Sequence, residues 1–456
     1  MTTPQSYFFI GIGGIGMSAL ARYFRLSGHK VGGYARVRTP ITIALEELGA
    51  EIIYEDDETL IPESYRDAET VRVVFTPAIH EDNRLRQYYQ KAGACEWKRS
   101  EVLGEISRMH KALCVAGTHG KTTTSTLLAH LLESSHIGAN AFLGGVSLNF
   151  GSNLLVDEKS PYVVIEADEY DRSFHRLTPF ASIITANEPD HLDIYGTEEA
   201  FHEAFRIFAG MTDRAGRLIV QEGVKELPAP EGILTESYGT SETCDYYYTD
   251  LRYEEGELYF DWHADGGKTV FRKLQIGTPV EINVMNATAA LALAYRLGCT
   301  EEELREGLRT FRGAHRRFER TKLPNGRVVI DDYAHHPDEI RASLSSIRDL
   351  YPERKVTVVF QPHLFSRTRD FLEAFGEALS LADEVILIPI YPAREEPIPG
   401  ITSEAILPFV TAPSKTTVTK EELPALLSER KPELLVMMGA GDIEFEVPKA
   451  IKAVRN

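Results

Sequence analysis

The segment GTHGKTTT, Gly117 to Thr124, constrains this chain more than any other. It follows the apolar run ALCVA and precedes a stretch from Lys121 to about Glu133 whose apolar residues recur at helical spacing. A glycine-bearing turn between a buried strand and a helix presents backbone N–H groups and the positive end of the helix dipole, which suits phosphate. The N–H groups around Gly117–Lys121 are therefore expected to wrap a phosphate. Lys121 would reach the β- and γ-phosphates of a nucleotide, and Thr122 would bind Mg²⁺. The strict phosphate-loop pattern wants a glycine five places before Gly120, where Val115 stands, so the loop reads as a shortened form. The bland alternative, a solvated turn, leaves the placement of Gly and Lys to chance.

A second glycine loop lies near the start. The run YFFI (7–10) leads into Gly11-Ile12-Gly13-Gly14-Ile15-Gly16, and a helical pattern follows with Met17, Leu20, Ala21 and Phe24 on one face and Gly28 as its stop. Further strand-like runs at 30–34, 51–54 and 71–75 suit a small parallel sheet. Gly11, Gly13 and Gly16 fit the GxGxxG shape of a diphosphate-binding turn, with a purely structural turn as the alternative. A dinucleotide site needs an acid at the end of the second strand. Here that strand ends Gly33-Tyr34-Ala35-Arg36, which disfavours NAD and a dehydrogenase and favours another diphosphate ligand.

Acids follow at the ends of two later runs. YVVIEAD (162–168) opens EADEYDRSF, with Glu166, Asp168, Glu169 and Asp171, and ASIITAN (181–187) leads to Asp190, His191 and Asp193. Acids at a strand's C-terminal end beside a phosphate loop are natural Mg²⁺ ligands; a solvated charge run is the alternative. Aromatic alternation between 244 and 273, with a Glu-Gly turn, predicts an antiparallel hairpin. An Ala- and Leu-rich helix is expected at 286–297, ending at Gly298. RRFE (316–319) suits anion contacts across a cleft or a plain surface pair. From about 321, RVVIDDYA, KVTVVFQP, EVILIPI, TTVT and ELLVMMGAG predict a second doubly wound sheet of five strands. Its loops would gather Asp332, His335, His336, His363, Arg367 and Arg369 on one edge, for carboxylate or phosphate recognition or for capping.

These segments make an α/β chain of three domains, 1–107, 108–320 and 321–456, in keeping with 456 residues. Lys and Arg number 49 against 68 Asp and Glu, a net charge of −19. That excludes a nucleic-acid coat or a polybasic membrane binder, since both need clustered positive charge. Cys95, Cys114, Cys244 and Cys299 are scattered, which disfavours a zinc site or disulfide framework and fits a reducing compartment. The start lacks a charged n-region, and no run approaches a membrane span, so a cytoplasmic protein without membrane insertion is expected.

Taken in order, GIGGIGMSALA, GTHGKTTT, EADEYDRSF, NEPDHLDIYG, NVMNATAALALA, RRFE, DDYAHHPDE, FQPHLFSRT and GAGDI resemble the Mur ligases over about residues 7–445. The resemblance implies a Rossmann-like domain for a UDP-sugar, a central P-loop-like ATPase domain and a C-terminal Rossmann-like domain that closes over the site. It further implies ATP and Mg²⁺ as cofactors, with amide formation through an acyl phosphate. Within the family the pattern is most like the branch that joins L-alanine to UDP-N-acetylmuramate, in a monomer or homodimer. The alternative is the branch that joins a preformed murein tripeptide.

By that resemblance Lys121, Glu166, His191 and His336 would be catalytic. Gly117, Thr118, His119, Gly120, Lys121, Thr122 and Thr123 would hold ATP, with Asn283 and Asn286 on the adenine side and Asp332 reaching the nucleotide. Thr122 and Glu166 would hold one Mg²⁺, with His191 near a second. Gly11, Gly13, Gly14 and Gly16 would face the UDP diphosphate, and His363 with Arg367 would hold the amino-acid carboxylate. The chain departs from relatives at Ala35 (often an acid), Ile282 (often His), Leu364 (often Arg) and Arg206, where other branches carry a modified lysine.

Overall fold

The computed structural model describes residues 5–76, 79–189, 192–393 and 395–455. Three sheets carry the chain. The first has five parallel strands in the spatial order Glu51–Ile53, Lys30–Tyr34, Ser6–Ile10, Val71–Phe75, Cys95–Lys98. Phe8, Phe9 and Ile10 are fully buried, as a central strand covered on both faces requires. The order reverses at Ser6–Ile10, so the glycine loop leaves from the switch point where open sheets bind ligands. Gly11 has φ +92°, and the N–H groups of Gly11 and Ile12 both donate to the Tyr34 carbonyl at 2.8 and 2.9 Å. Helix Ile15–Leu26 begins immediately after this turn and stops before Gly28, as its spacing predicts.

In the second sheet, Lys111–Ala116 lies between Ala181–Ile184 and Tyr162–Glu166, parallel to both. Three neighbouring strands therefore end at one edge, where the 117–120 turn, Glu166 and the 185–189 segment emerge. The expected helix occupies Lys121–Glu133, and its Thr124–Leu132 stretch is buried throughout. The sheet runs on through Arg217–Gln221 and Thr235–Gly239 to Tyr246–Glu254, Glu257–Ala264 and Thr269–Ile276. The hairpin turn is Glu255-Gly256, both left-handed, the geometry that matches strand twist. The predicted hairpin thus gains a third strand. The Ala-rich helix begins at Glu281, ahead of the expected 286, and continues to Leu297.

The third sheet has six strands where five were expected. Val328–Asp332, Leu434–Met438, Val356–Phe360, Glu384–Leu387 and Ser414–Thr417 are parallel, and Glu319–Lys322 pairs antiparallel on the outer edge. The sixth strand, ERTK, has no apolar residue, so hydrophobic patterning could not reveal it; charge is typical of an exposed edge. Alternation sorts the two faces: Ile330, Val358 and Val436 pack into one core, and Val329, Val359 and Leu435 into the other.

By spatial contact the chain forms two compact units. One comprises residues up to Thr249 with 262–272 and 286–308; the other comprises 250–261, 273–285 and the residues from Arg309 onward. Among the described residues, no helix is long and apolar enough to cross a membrane.

Candidate active site

In the first unit the 117–124 turn is built on glycines that tolerate nothing larger. Gly117 has φ +143°, and a Cβ there would lie 2.2 Å from Thr185 Oγ1. Gly120, left-handed at φ +81°, caps the helix, and a Cβ would lie 2.6 Å from Asn286 Oδ1. The neighbouring strand end pins the turn: Thr118 N–H donates to the Ala186 carbonyl at 3.2 Å and Thr185 Oγ1 to the His119 carbonyl at 2.5 Å. Thr118 Oγ1 donates to Glu188 at 3.3 Å.

Lys121 projects from the first helical turn. Its Nζ donates to the Gly117 carbonyl at 2.5 Å and lies 2.8 Å from Glu169 Oε2. Burial pushes the Glu169 carboxyl above its ordinary value, and Lys121 opposes that shift. Glu166 takes a different place. Its Oε1 accepts from Thr122 Oγ1 at 3.1 Å, and its Oε2 from Gly144 N–H at 3.0 Å and Ser125 Oγ at 3.4 Å. The four acids of EADEYD thus divide: Glu166 joins Thr122, Glu169 neutralises Lys121, and Asp168 faces Arg99 at 3.6 Å. Asp171 adopts φ +51° in the turn that follows.

Thr122, Ser125 and Glu166 form a cluster of hard oxygen donors, the chemistry Mg²⁺ selects. Asp190 and His191 lie outside the described residues. Arg206 is engaged by Glu199, Glu203 and Glu226 on the outside of helix Glu198–Gly210.

Arg99 was not legible as a site residue. It opens helix Arg99–Met109, and a Cβ on Gly16 would lie 2.7 Å from its Nη1. One guanidinium therefore rests on the glycine loop and faces the acids through Asp168. Gly14 caps helix Ile15–Leu26, and Gly13 abuts Ala35, whose buried methyl occupies the position of a ribose-binding acid. Asn286 is buried, and its Oδ1 accepts from Thr124 Oγ1 at 3.3 Å. Asn283, one turn earlier on the same helix, falls in the second unit.

The second unit carries the remaining candidates. Asp332 ends its strand buried, accepting from Ser343 Oγ at 2.6 Å, and burial raises its carboxyl. His336 caps helix Pro337–Leu350, with Glu339 completing the capping box. His363 stacks near Tyr391 and sits 6.1 Å from the His335 ring. Burial, then His335 and Arg367, hold His363 down at about 4, a neutral ring at neutral pH. Arg367, on helix Phe365–Asp370, makes no ion pair among the described residues. Arg369 instead pairs with Asp370 on the exposed side, outside the expected group.

Arg316 corrects the reading of RRFE as a cleft or surface pair. It is 4% exposed, bonded to Asp331 at 3.4 Å and to the carbonyls of Gly441 and Gly439. Arg317 lies over the Tyr333 ring. Arg316 clasps a strand end and the 439–441 loop of its own unit, and sequence offered no sign of its burial.

Family models match along the chain: the Mur ligase family catalytic domain over 6–111, the Mur ligase middle domain over 115–294 and the Mur ligase glutamate ligase domain over 316–441. The chain belongs to the Mur ligase family. It is 49% identical to a UDP-N-acetylmuramate–L-alanine ligase of Phocaeicola vulgatus over 98% of both chains. The counterpart in Porphyromonas gingivalis W83 is 47% identical over 96% of both. Among solved structures, the UDP-N-acetylmuramate-alanine ligase of Thermotoga maritima aligns with TM-score 0.83 at 28% identity, over 98% of each chain. A murein peptide ligase from Psychrobacter arcticus shares the fold, with TM-score 0.67 at 24% identity over 99% of each.

Proposed function

We propose that this Mur ligase joins L-alanine to the lactyl carboxylate of UDP-N-acetylmuramate, with ATP cleaved to ADP and phosphate, in peptidoglycan precursor synthesis. A carboxylate is a poor acyl donor, so its oxygen first attacks the γ-phosphorus and ADP leaves. The alanine amine then attacks the acyl-phosphate carbonyl, phosphate departs, and the amine loses its proton. The observation that carries this reading is the placing of Lys121 on the 117–120 turn and of Thr122 against Glu166, where adjacent strands end. Two anions must approach each other, and a fixed cation beside the phosphates reduces their repulsion.

Lys121 turns from Glu169 to the β- and γ-phosphates, while the 117–123 backbone and the Asn283–Asn286 side of the helix hold the nucleotide. Thr122 and Glu166 would hold Mg²⁺, which screens phosphate charge when bound; His191 is assigned to a second ion from the family resemblance alone. Gly11, Gly13, Gly14 and Gly16 face the UDP diphosphate, with Arg99 beside them. Asp332 and His336 are assigned to the nucleotide from the family resemblance, as are Arg367 and the neutral His363 to the alanine carboxylate. The functional domains are 1–107, 108–320 and 321–456, and the protein works in the cytoplasm as a monomer or homodimer.

The family resemblance leaves the tripeptide-joining activity as the second reading; the full-length likeness to alanine ligases favours the first. ADP release measured with UDP-N-acetylmuramate, ATP and either L-alanine or the tripeptide separates them. Turnover with L-alanine, and an acyl phosphate trapped by hydroxylamine, is the expected result. Turnover only with the tripeptide overturns the choice of substrate.

A further inference from the structure

A cavity of about 290 Å³ lies on one face of the first sheet, between helices Ile15–Leu26 and Arg99–Met109. The strand register explains its position. Tyr7 pairs with Arg72, and Val74 with Trp97, so these side chains rise from the same face in successive rows. Tyr7 and Arg72 stand near the starts of their strands, whereas the glycine loop leaves from the strand ends. The cavity is therefore separate from the diphosphate turn.

Its walls are aromatic. Tyr7 and Phe24 stack with ring centroids 3.9 Å apart, His29 meets both edge-on, and Tyr23 and Trp97 complete the box. One cation faces it: the Arg72 guanidinium lies 5.4 Å from the Trp97 ring and 6.0 Å from Tyr7. No carboxylate among the described residues lies within ion-pair distance of Arg72. Glu105, on the opposite wall, is engaged by Arg108. His29 adds no charge, because its Nδ1 accepts from Gln5 N–H at 3.1 Å and burial lowers its basicity.

We propose that this cavity binds a small planar aromatic anion, an aryl carboxylate, with its ring among Tyr7, Phe24 and Trp97 and its carboxylate on Arg72. An apolar cavity of about 150 Å³ takes a benzene ring, so one ring with a polar substituent fits. A guanidinium with no acid partner among the described residues supplies the charge-assisted bond that selects a carboxylate over a neutral ring.

The test uses the full chain and its two tryptophans, Trp97 and Trp262. Trp262 is fully buried, so quenching by 4-nitrobenzoate reports Trp97. Saturable quenching is expected, absent in Trp97→Phe, with 4-nitrobenzoate binding about tenfold more tightly than 4-nitrobenzamide. Arg72→Met should erase that preference, and Glu105→Gln should strengthen nitrobenzoate binding by removing a like charge from the wall. Quenching that never saturates, equal affinities for the acid and the amide, or quenching that persists in Trp97→Phe overturns the proposal. If Arg72→Met does not fold by circular dichroism, Glu105→Gln decides: unchanged or weaker binding overturns it.

Discussion

Lys121 Nζ lies 2.8 Å from Glu169 Oε2, and Glu169 is 2% exposed. The lysine that the proposed function sets against the phosphates is also the counter-charge of a buried acid, so its removal has two separable expected consequences. Lys121→Ala is expected to lower kcat by about 10³-fold or more, since the lost charge acts on the transition state. It is also expected to destabilise the fold by on the order of 3 kcal/mol, because a buried acid loses the positive charge beside it. Lys121→Ala with Glu169→Gln should regain most of the stability and none of the turnover. Urea denaturation and ADP release on the three proteins check both halves; recovery of turnover in the double variant would remove Lys121 from the chemistry.

Gly144 donates its N–H to Glu166, and a Cβ there would lie 2.1 Å from Glu166 Oε1. Backbone and carboxylate cannot both keep their places with alanine at 144. The expected outcome of Gly144→Ala is a folded protein whose Glu166 has turned from Thr122, with kcat lowered about 10–100-fold, the usual size of a disturbed metal-ligand orientation. The Mg²⁺ concentration for half-maximal rate should rise in parallel. An unchanged Mg²⁺ dependence would separate Glu166 from metal binding.

The phosphate turn and both glycine-rich helix starts were legible because each rests on local rules: an apolar strand, glycines that permit tight turns, and helical periodicity. What sequence withheld depends on contacts distant along the chain. Glu169 could not be told from Glu166 within EADEYD, because Glu166 ends the strand facing Thr122 whereas the turn beyond the strand carries Glu169 to Lys121. Arg99 meets Gly16 across 83 positions, which no spacing rule detects. Arg316 looked like a surface charge because its partners, Asp331 and two loop carbonyls, converge only in the folded unit. The edge strand Glu319–Lys322 was hidden for the opposite reason, having no apolar residue to show.

Arg367 has no ion-pair partner among the described residues and shares its surroundings with the neutral His363. A planar guanidinium grips a carboxylate with two parallel bonds, which an ammonium cannot reproduce. Arg367→Lys is expected to raise the KM for L-alanine about 10–100-fold while the KM for ATP stays within about twofold. Initial rates over an alanine titration check this. Equal loss for both substrates would place Arg367 in general folding of the unit instead.

Asp331 offers a pH test of the core around Arg316. Burial outweighs the nearby guanidinium and raises its carboxyl from 3.8 to about 6. Between those values the folded state holds a proton that the unfolded chain has released, so stability falls as pH rises through the window. The contribution is fully present below about pH 4 and lost above about pH 6, with an upper size of about 3 kcal/mol. Asp331→Asn cannot titrate there. It carries a fixed offset from its altered bond to Arg316, while His315 and Glu319 titrate in both proteins. The stability of wild type relative to Asp331→Asn should therefore decline from pH 4 to pH 6.5 in urea denaturation. A difference that is flat, or that rises with pH, would mean that Arg316 holds the Asp331 carboxylate ionised and that pairing prevails over burial in this core.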